Sequence, residues 1–269
     1  MSALRIVVLV KQVPDAAAER RFEADHTTDR EGVESRLSEL DEHAIEQALQ
    51  VVESGVDAEV TYLTMGPEDA EDALRKALSM GGDAAVHVVD DALAGSDAPA
   101  TALVLAKALE RIGFDLVVCG MASTDGGMSV VPAMLAECLG VPQLTQAGEL
   151  RVADGTVTIR RDGDTSSDEV QAPLPAVVSV TDQTGEARYP SFKGIMAAKR
   201  KPLETLTLAD LGIPPDQVGL AAAWTRVLAV EARPPRQAGA VVVDDGNGGI
   251  DLVDFLASRR FVEGSGSRG

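Results

Sequence analysis

Aromatic, cysteine and cationic residues are all scarce in this chain. Of its 269 residues only 3 % are aromatic and two are cysteines, and 24 Lys and Arg residues stand against 43 Asp and Glu. The formal charge of −19 argues against nucleic acid or an anionic membrane as the main partner, because both are bound through clustered cations. We therefore expect an aliphatic core and an acidic surface that is complementary to basic protein partners.

Cysteine and histidine are too few and too dispersed for a disulfide framework or a metal site. Cys119 and Cys138 form no C-x-x-C pair, which fits a reducing compartment, and Cys119 ends an apolar run, which predicts a small buried residue. The three histidines lack metal-ligand spacing. No stretch has the roughly 18 apolar residues that a membrane-spanning helix needs, and no signal peptide precedes the first apolar run. We expect a cytoplasmic protein without a metal and without direct membrane insertion.

Strand and helix patterns alternate in the first half of the chain. A continuous β-branched run predicts a buried strand at residues 5–10, and further strands are predicted at residues 58–65, 84–89 and 114–119. Apolar residues at helical spacing predict helices between and after them, at residues 39–53 with Ser38 as N-cap, 68–79, 97–112 and 128–139. The pattern predicts a turn at residues 11–14 and a long unpatterned connection at 16–36.

The second half has a different pattern. A hairpin with an Asp154-Gly155 turn is predicted over residues 149–160, followed by a polar loop at 162–169 and a strand at 176–180. A short helix start at 207–213, a terminal helix at 249–261 and a disordered tail complete the chain. The fold class that these patterns predict is α/β: a mainly parallel, Rossmann-like, adenine-nucleotide-binding sheet with helices on both faces, plus a β-hairpin and an extended C-terminal arm.

The stretch from Val117 to Pro132 is the strongest candidate site. An apolar run breaks at Gly120 into small and hydroxylated residues before a helical pattern resumes. The N–H groups and partial positive charge of a helix start suit a phosphate, particularly at the carboxyl ends of parallel strands. The same composition also suits an ordinary capped turn, since neither G-x-G-x-x-G nor G-x-x-x-x-G-K-[ST] occurs in this stretch. Because the loop contains no Lys or Arg, backbone amides and the hydroxyls of Ser123, Thr124 and Ser129 would have to bind the phosphate. Asp125 would oppose an anion unless its carboxylate points away or caps an amide.

Five separated stretches together resemble the β subunit of electron transfer flavoproteins (ETF). They occur in the family's order over about residues 4–260: I-V-V-L-V-K-Q-V-P-D, the Gly120 loop followed by M-L-A-E-C-L-G-V-P-Q, V-T-I-R-R-D-G ending in L-P-A-V-V-S-V-T, A-R-Y-P-S-F-K-G-I-M-A-A-K-R-K, and R-P-P-R-Q-A-G. The hairpin-to-strand stretch is the most specific of these, and five ordered matches are far stronger than any one.

The resemblance implies an electron carrier with no catalytic acid, base or nucleophile. It implies a heterodimer with an ETF α subunit, which holds most of a redox-active FAD. That FAD accepts electrons from acyl-CoA dehydrogenases and related enzymes and passes them to the ETF-quinone oxidoreductase of the membrane. In the common branch of the family the β subunit holds a structural AMP, whereas a second FAD uses the same pocket in the bifurcating branch.

The resemblance also assigns residues to these roles. The family's AMP contacts map onto strand ends and helix starts, namely Leu9, Ser38, Glu39, Leu40, Asp41, Met65, Gly120, Met121, Ala122, Ser123, Thr124, Asp125, Gly126, Gly127, Met128, Ser129, Val130 and Val131. A recognition loop for the dehydrogenase maps onto residues 188–196, where Phe192 is the apolar anchor among Arg188, Tyr189, Phe192, Ile195 and Met196. Residues 1–232 form the nucleotide-binding domain, and residues 233–269 form an arm and helix that embrace the α subunit.

Three positions depart from the family pattern. Ala16 and Leu40 stand where some members have aromatic residues near the FAD ring, and Val130 replaces a Gln near the end of the phosphate loop. The segment 162–172 is longer than usual. None of these changes removes a group that a phosphate held by backbone amides requires.

Alternatives stay open at this point for single features and for the whole chain. Phe192 is either a docking anchor or a local core residue, and the basic run at 199–201 is either a solvated face or a surface that steers an acidic partner. An ATP- or AMP-using enzyme or a nucleotide sensor of the same fold is the alternative function. The enzyme is disfavoured because we expect no Lys, His or metal-ligand cluster near the Gly120 loop to stabilise a transferring phosphoryl group or a leaving pyrophosphate.

Overall fold

The computed structural model describes residues 3–18, 20–231, 234, 239, 241–244 and 246–262. The chain divides into two compact units, Met1–Ala229 and Val230–Gly269. Most of the stretch R-P-P-R-Q-A-G and the predicted tail after residue 262 lie outside the described residues. The role of the C-terminal arm in embracing a partner therefore stays a prediction.

The first unit contains strands of a central sheet, an antiparallel sheet and a short ribbon. The strands are β1 (Leu4–Leu9), β2 (Gln12–Pro14), β3 (Ser35–Leu37), β4 (Ala58–Met65), β5 (Ala84–Val88), β6 (Leu116–Gly120), β7 (Gln143–Ala147), β8 (Glu149–Ala153), β9 (Thr156–Asp162), β10 (Ser167–Pro173), β11 (Ala176–Val180) and β12 (Leu203–Leu206). The helices are α1 (Glu39–Glu53), α2 (Glu71–Met80), α3 (Ala98–Ile112), α4 (Val131–Leu139), α5 (Phe192–Ala198) and α6 (Gly219–Ala222). The second unit contains α7 (Gly248–Ser258).

The central sheet has seven parallel strands in the order β12-β5-β4-β1-β6-β11-β7. Ile6 and Val8 of β1 pack in the core beneath α1 and α2, whereas Val7 packs in the core beneath α3 and α4. The central strands β1 and β6 are mostly apolar at successive positions because both faces of the sheet are covered. The predicted α/β class, with a mainly parallel sheet and helices on both faces, is confirmed.

The predicted hairpin is confirmed and extends into a three-stranded antiparallel sheet. Asp154 (φ +49°) and Gly155 (φ +73°) form the two-residue turn between β8 and β9, with the left-handed backbone that a type I′ turn requires. The second half of the predicted polar loop at 162–169 is wrong, because β10 begins at Ser167 and pairs with β9. Polar composition concealed this strand, since it lies at a sheet edge and most of its side chains are exposed.

The connection before α1 is more ordered than its sequence predicts. β2 occupies most of the predicted turn and pairs antiparallel with β3, which lies at the end of the predicted unpatterned connection. Residues 16–34 are thus an excursion closed by a short ribbon. The ribbon returns the chain to the start of α1, beside the carboxyl end of β1.

The remaining differences from the predicted elements are small. β7 and β12 are strands that the sequence pattern does not predict, because they are short and partly polar. Residues 207–213 form turns held by Thr207 and Asp210 instead of a helix start. A 3-10 turn at Glu68–Ala70 precedes α2, and α4 and α7 are shorter than predicted. Across the described part of the chain, no helix has the length and apolar character that crossing a membrane would require.

Candidate functional site

The strand order reverses beside β1, at the centre of the sheet. From β1 the chain passes through α1 to β4 on one side, whereas β6 and β11 lie on the other side. The helices that follow β1 and β6 lie on opposite faces of the sheet, and open parallel sheets bind ligands at such a point. Leu9 ends β1, Gly120 ends β6, and Met65 ends the neighbouring β4. We term the space at these carboxyl ends the switch crevice.

Gly120 and Asp41 join the end of β6 to the first turn of α1. A Cβ at position 120 would lie 2.5 Å from Asp41 Oδ1 and 2.8 Å from the carbonyl oxygen of Leu40, so the close approach requires glycine. The buried Asp41 carboxylate accepts the Lys11 N–H at 2.8 Å and a second hydrogen bond from the Gly120 N–H. One side chain thus ties the ends of β1 and β6 to the start of α1.

Burial raises the pKa of Asp41 to about 7. The N–H and the charge of Lys11 and the N–H of Gly120 lower the pKa, but they do not offset the desolvation of the carboxylate, and the nearby Asp125 raises it further. The carboxyl group at this junction is therefore only partly ionised at neutral pH.

Asp41→Asn is expected to weaken the pH dependence of stability between about pH 5 and pH 8. A carboxyl group whose pKa is about 7 when folded and about 3.9 when unfolded stabilises the protein at low pH, and this stability is lost as the pH rises from about 4 through 7. Between about pH 5 and pH 8 the variant should lose about 2–3 kcal/mol less of its free energy of unfolding than the wild type, measured by urea unfolding. Asp57→Asn, at an exposed position, is the control. An unchanged pH profile for Asp41→Asn would contradict the role of this carboxyl.

Asp125, in the loop after β6, is neutralised by two cations from another part of the chain. Its side chain is 5 % exposed and accepts hydrogen bonds from Lys11 Nζ at 2.9 Å and Arg30 Nη2 at 2.5 Å. It also caps the Gly126 N–H at 2.7 Å. Burial alone would raise the pKa of Asp125, but Lys11, Arg30 and Ser123 together hold it well below its usual range. The Asp125 carboxylate therefore points towards Lys11, Arg30 and the Gly126 N–H.

The cations at this loop come from the excursion between β2 and β3 and from the end of β1. Besides Lys11 and Arg30, Arg20 donates from Nη2 to the carbonyl oxygen of Thr124 at 2.6 Å. The inference that no Lys lies near the loop is wrong, because it considered only neighbours in sequence. The available signal was the concentration of arginines in an otherwise unpatterned connection of an acidic chain.

The two helix starts at the crevice lack side-chain caps. Ser38 holds the predicted N-cap position of α1, but its hydroxyl makes no cap bond and is buried without a partner. Val130, at the N-cap position of α4, has no polar side chain to offer. Just before it, Gly127 (φ +62°) and Ser129 (φ +57°) adopt left-handed backbone. The first N–H groups of both helices are therefore not capped by these side chains.

A second exposed feature is α5, which begins at the predicted anchor Phe192. Tyr189 and Phe192 are 93 % and 80 % exposed, and Ile195 and Met196 are 45 % and 48 % exposed. The alternative that Phe192 is a local core residue is therefore wrong. We term these four side chains the docking face.

The docking face is carried on the end of α2. A Cβ at Gly194 would collide with the carbonyl oxygen of Ser79, so α5 lies against the last turn of α2. Lys201 Nζ donates to the carbonyl oxygens of Leu78 and Gly81, each at 2.9 Å, so this member of the basic run stabilises a helix end rather than a solvated face. Because α2 leads into the amino end of β5, the docking face lies at the sheet edge opposite the switch crevice.

Arg188 is directed back to α1, unlike the docking face that follows it. Its guanidinium forms ion pairs with Glu46 at 2.7 Å and with Glu53 at 2.6 Å. The side chain of Glu46 is 9 % exposed, so this is a partly buried pair.

Comparison with known proteins identifies the family of this chain. A family model described as the electron transfer flavoprotein domain matches residues 25–211. The electron transfer flavoprotein subunit beta of Mycobacterium tuberculosis (strain H37Rv) is 47 % identical over 263 residues, covering 96 % of this chain and 99 % of the relative. The relatives of the same name from Mycobacterium leprae and Megasphaera elsdenii are 48 % and 34 % identical, over 96 % and 91 % of this chain and 99 % and 93 % of their own. The chain belongs to the ETF β-subunit family.

Membership of the ETF β-subunit family confirms the resemblance drawn from the five stretches. The name of these relatives implies a flavoprotein that transfers electrons and a pairing with an α subunit. It therefore favours a carrier over an enzyme.

The structure brings most of the family-derived AMP positions of this ETF β-family chain to the switch crevice. Leu40, Asp41 and Gly120 meet at the junction, Leu9 ends the adjacent strand, and the residues from 121 to 131 form the rim. Met65 lies at the end of β4, which is separated from β6 by β1. Their contact with a nucleotide stays a prediction.

Proposed function

We propose that this chain is the β subunit of a heterodimeric cytoplasmic ETF, with AMP as a structural ligand in the switch crevice. It helps to hold the FAD of the α subunit, docks acyl-CoA dehydrogenases and related enzymes, and relays their electrons towards the ETF-quinone oxidoreductase. The redox chemistry belongs to the FAD, and this chain supplies binding and orientation. The observation that carries the proposal is that the crevice and the docking face lie at opposite edges of one sheet.

The crevice fits the phosphate of a mononucleotide. Lys11, Arg20 and Arg30 bring three positive charges to the Asp125 end of the loop, in a chain whose formal charge is −19. The starts of α1 and α4 add N–H groups and the positive ends of two helix dipoles. Local charge and backbone thus favour an anion here although the whole chain is acidic.

The crevice resembles an anchor more than the active site of a nucleotide-using enzyme. Lys11 and Arg30 both bind Asp125, whereas a catalytic cation must be placed to stabilise charge that develops on the substrate. Cys119, the thiol at the end of β6, is no nucleophile, because burial and the nearby Asp41 raise its pKa. These positions support a ligand that is held and not converted.

Counting nucleotides in the purified heterodimer tests this proposal. Denaturation is expected to release one FAD and one AMP for each heterodimer. Two FAD molecules without AMP would support the bifurcating type, in which a second flavin uses the crevice. Hydrolysis of ATP would support the enzyme, and a colourless nucleotide-binding chain that does not pair with an α subunit would support a sensor.

Phe192→Ala is expected to slow electron acceptance from the dehydrogenase while FAD and AMP contents stay unchanged. Removal of an aromatic anchor costs about 2 kcal/mol or more, so the KM of the dehydrogenase for the heterodimer should rise about 30-fold. Steady-state reduction at limiting heterodimer concentration measures this change. Phe22→Ala is the matched control, because Phe22 is 49 % exposed on the excursion that reaches the switch crevice. Unchanged kinetics in the Phe192 variant would refute the docking role.

A further inference from the structure

The guanidinium of Arg188 donates four hydrogen bonds to two carboxylates of α1. Nε and Nη2 donate to the two oxygens of Glu46 at 2.7 and 3.0 Å, and Nη1 and Nη2 donate to the two oxygens of Glu53 at 2.6 and 3.0 Å. The Arg188 backbone N–H also donates to Glu46, at 3.1 Å. Such paired, parallel bonds fix the direction of a side chain as well as its position.

The residues just before Arg188 are fastened to the same helix. His43 Nδ1 lies 2.8 Å from the carbonyl oxygen of Gly185, and Gln47 Nε2 donates to the carbonyl oxygen of Thr184 at 3.3 Å. The chain between β11 and α5 is therefore held along α1 up to Arg188.

The residues after the docking face are fastened to a different helix. Gly194 lies against the end of α2, and Arg75 of α2 donates to the carbonyl oxygens of Ala198 and Lys201 at 3.1 and 3.2 Å. Tyr189 and Phe192, the most exposed members of the docking face, thus lie between one attachment to α1 and one attachment to α2.

We propose that Arg188, with Glu46 and Glu53, is a positioning cluster that orients Phe192 for docking, and that Arg188 acts through Phe192 without touching the partner. A docking side chain that is already oriented loses less conformational freedom on binding, so the cluster raises affinity for the dehydrogenase. This inference rests on the proposed docking role of Phe192. It departs from the family-derived assignment of Arg188 as a partner-binding residue, because all of its bonds described above go to α1.

Arg188→Lys and Glu53→Gln test the cluster in the intact heterodimer. Lysine keeps the charge of Arg188 but loses the fork, and Glu53 is 58 % exposed, so its replacement leaves no buried charge unpaired. Each variant should raise the KM of an acyl-CoA dehydrogenase for the heterodimer, Arg188→Lys by about tenfold, with kcat, FAD content and AMP content unchanged. Arg160→Lys is the matched control, because Arg160 also pairs with two carboxylates, Glu149 and Asp162, on the antiparallel sheet.

A double-mutant cycle separates positioning from direct contact. If Arg188 acts through Phe192, adding Arg188→Lys to Phe192→Ala should change the KM by less than about twofold. A full tenfold effect in that background, or no effect of Arg188→Lys alone, overturns the inference. If Phe192→Ala itself leaves the KM unchanged, the proposed docking role fails instead, so the two failures are distinguishable.

Discussion

Gly120→Ala is expected to empty the switch crevice of nucleotide and to lower the free energy of unfolding by about 2–3 kcal/mol. The new Cβ would lie 2.5 Å from Asp41 Oδ1 and 2.8 Å from the carbonyl oxygen of Leu40. One of these atoms belongs to the backbone at the start of α1, so rotation of a side chain cannot relieve both contacts. The first turn of α1 would have to move away from β6, and with it the Asp41 bonds that join the strand ends.

The effect of Gly120→Ala can be separated from a general cost of replacing glycine. Gly163→Ala is the matched control, because the nearest atom to its Cβ, the carbonyl oxygen of Ser166, would lie at an ordinary 3.5 Å. Urea unfolding gives the stability of both variants, and denaturation of the purified heterodimers gives their AMP and FAD contents. Gly120→Ala should lose AMP, whereas Gly163→Ala should retain it. Wild-type stability and a full complement of AMP in the Gly120 variant would show that the junction does not form the crevice.

The parts of the fold that sequence predicts well are those where local pattern and burial agree. β1 and β11 are mostly apolar at successive positions because α1 and α2 cover one face of the sheet and α3 and α4 cover the other. The same alternation of strands and helices predicts that strand ends and helix starts gather at one edge. This alternation therefore places the Gly120 loop at the carboxyl ends of the parallel strands, although it does not predict which strands are neighbours.

The electrostatics of the crevice could not be predicted, because they depend on pairs that are distant in sequence. Asp125 meets Lys11 across 114 residues and Arg30 across 95 residues. Asp41 illustrates a different limit. Its place in the first turn of α1 suggests a role in balancing the helix dipole, but its carboxylate is buried between the Lys11 and Gly120 N–H groups, where desolvation decides its pKa. The sequence does not predict the edge strands β10 and β12 for a third reason. An edge strand has a neighbour on one side only and is less buried, so its sequence need not be apolar.

Under the proposed function, two surfaces at opposite edges of one sheet have separate tasks: one holds a nucleotide and the other docks a dehydrogenase. α1 extends between them: its first turn closes the switch crevice through Asp41, and Glu46 and Glu53 further along hold Arg188. A dehydrogenase at the docking face therefore need not displace the nucleotide. For the same reason, variants at Phe192 and at Gly120 should alter different measurements, the first KM and the second nucleotide content.

Removal of residues 233–269 is expected to abolish formation of the heterodimer. Within the second unit, α7 has no buried residue, and Ile250, Leu252, Val253 and Phe255 are each more than half exposed.

A short helix with so much exposed apolar surface is marginal by itself, so we expect a surface of the α subunit to cover it. Co-purification with the α subunit and FAD content measure the result. Phe255→Asp tests the same point without truncation, and Asp254→Ala at the neighbouring exposed position is its control. Recovery of a stable, FAD-loaded heterodimer from the truncated chain would refute the embrace, whereas loss of the complex in Phe255→Asp but not in Asp254→Ala would locate it on the apolar side chains of α7.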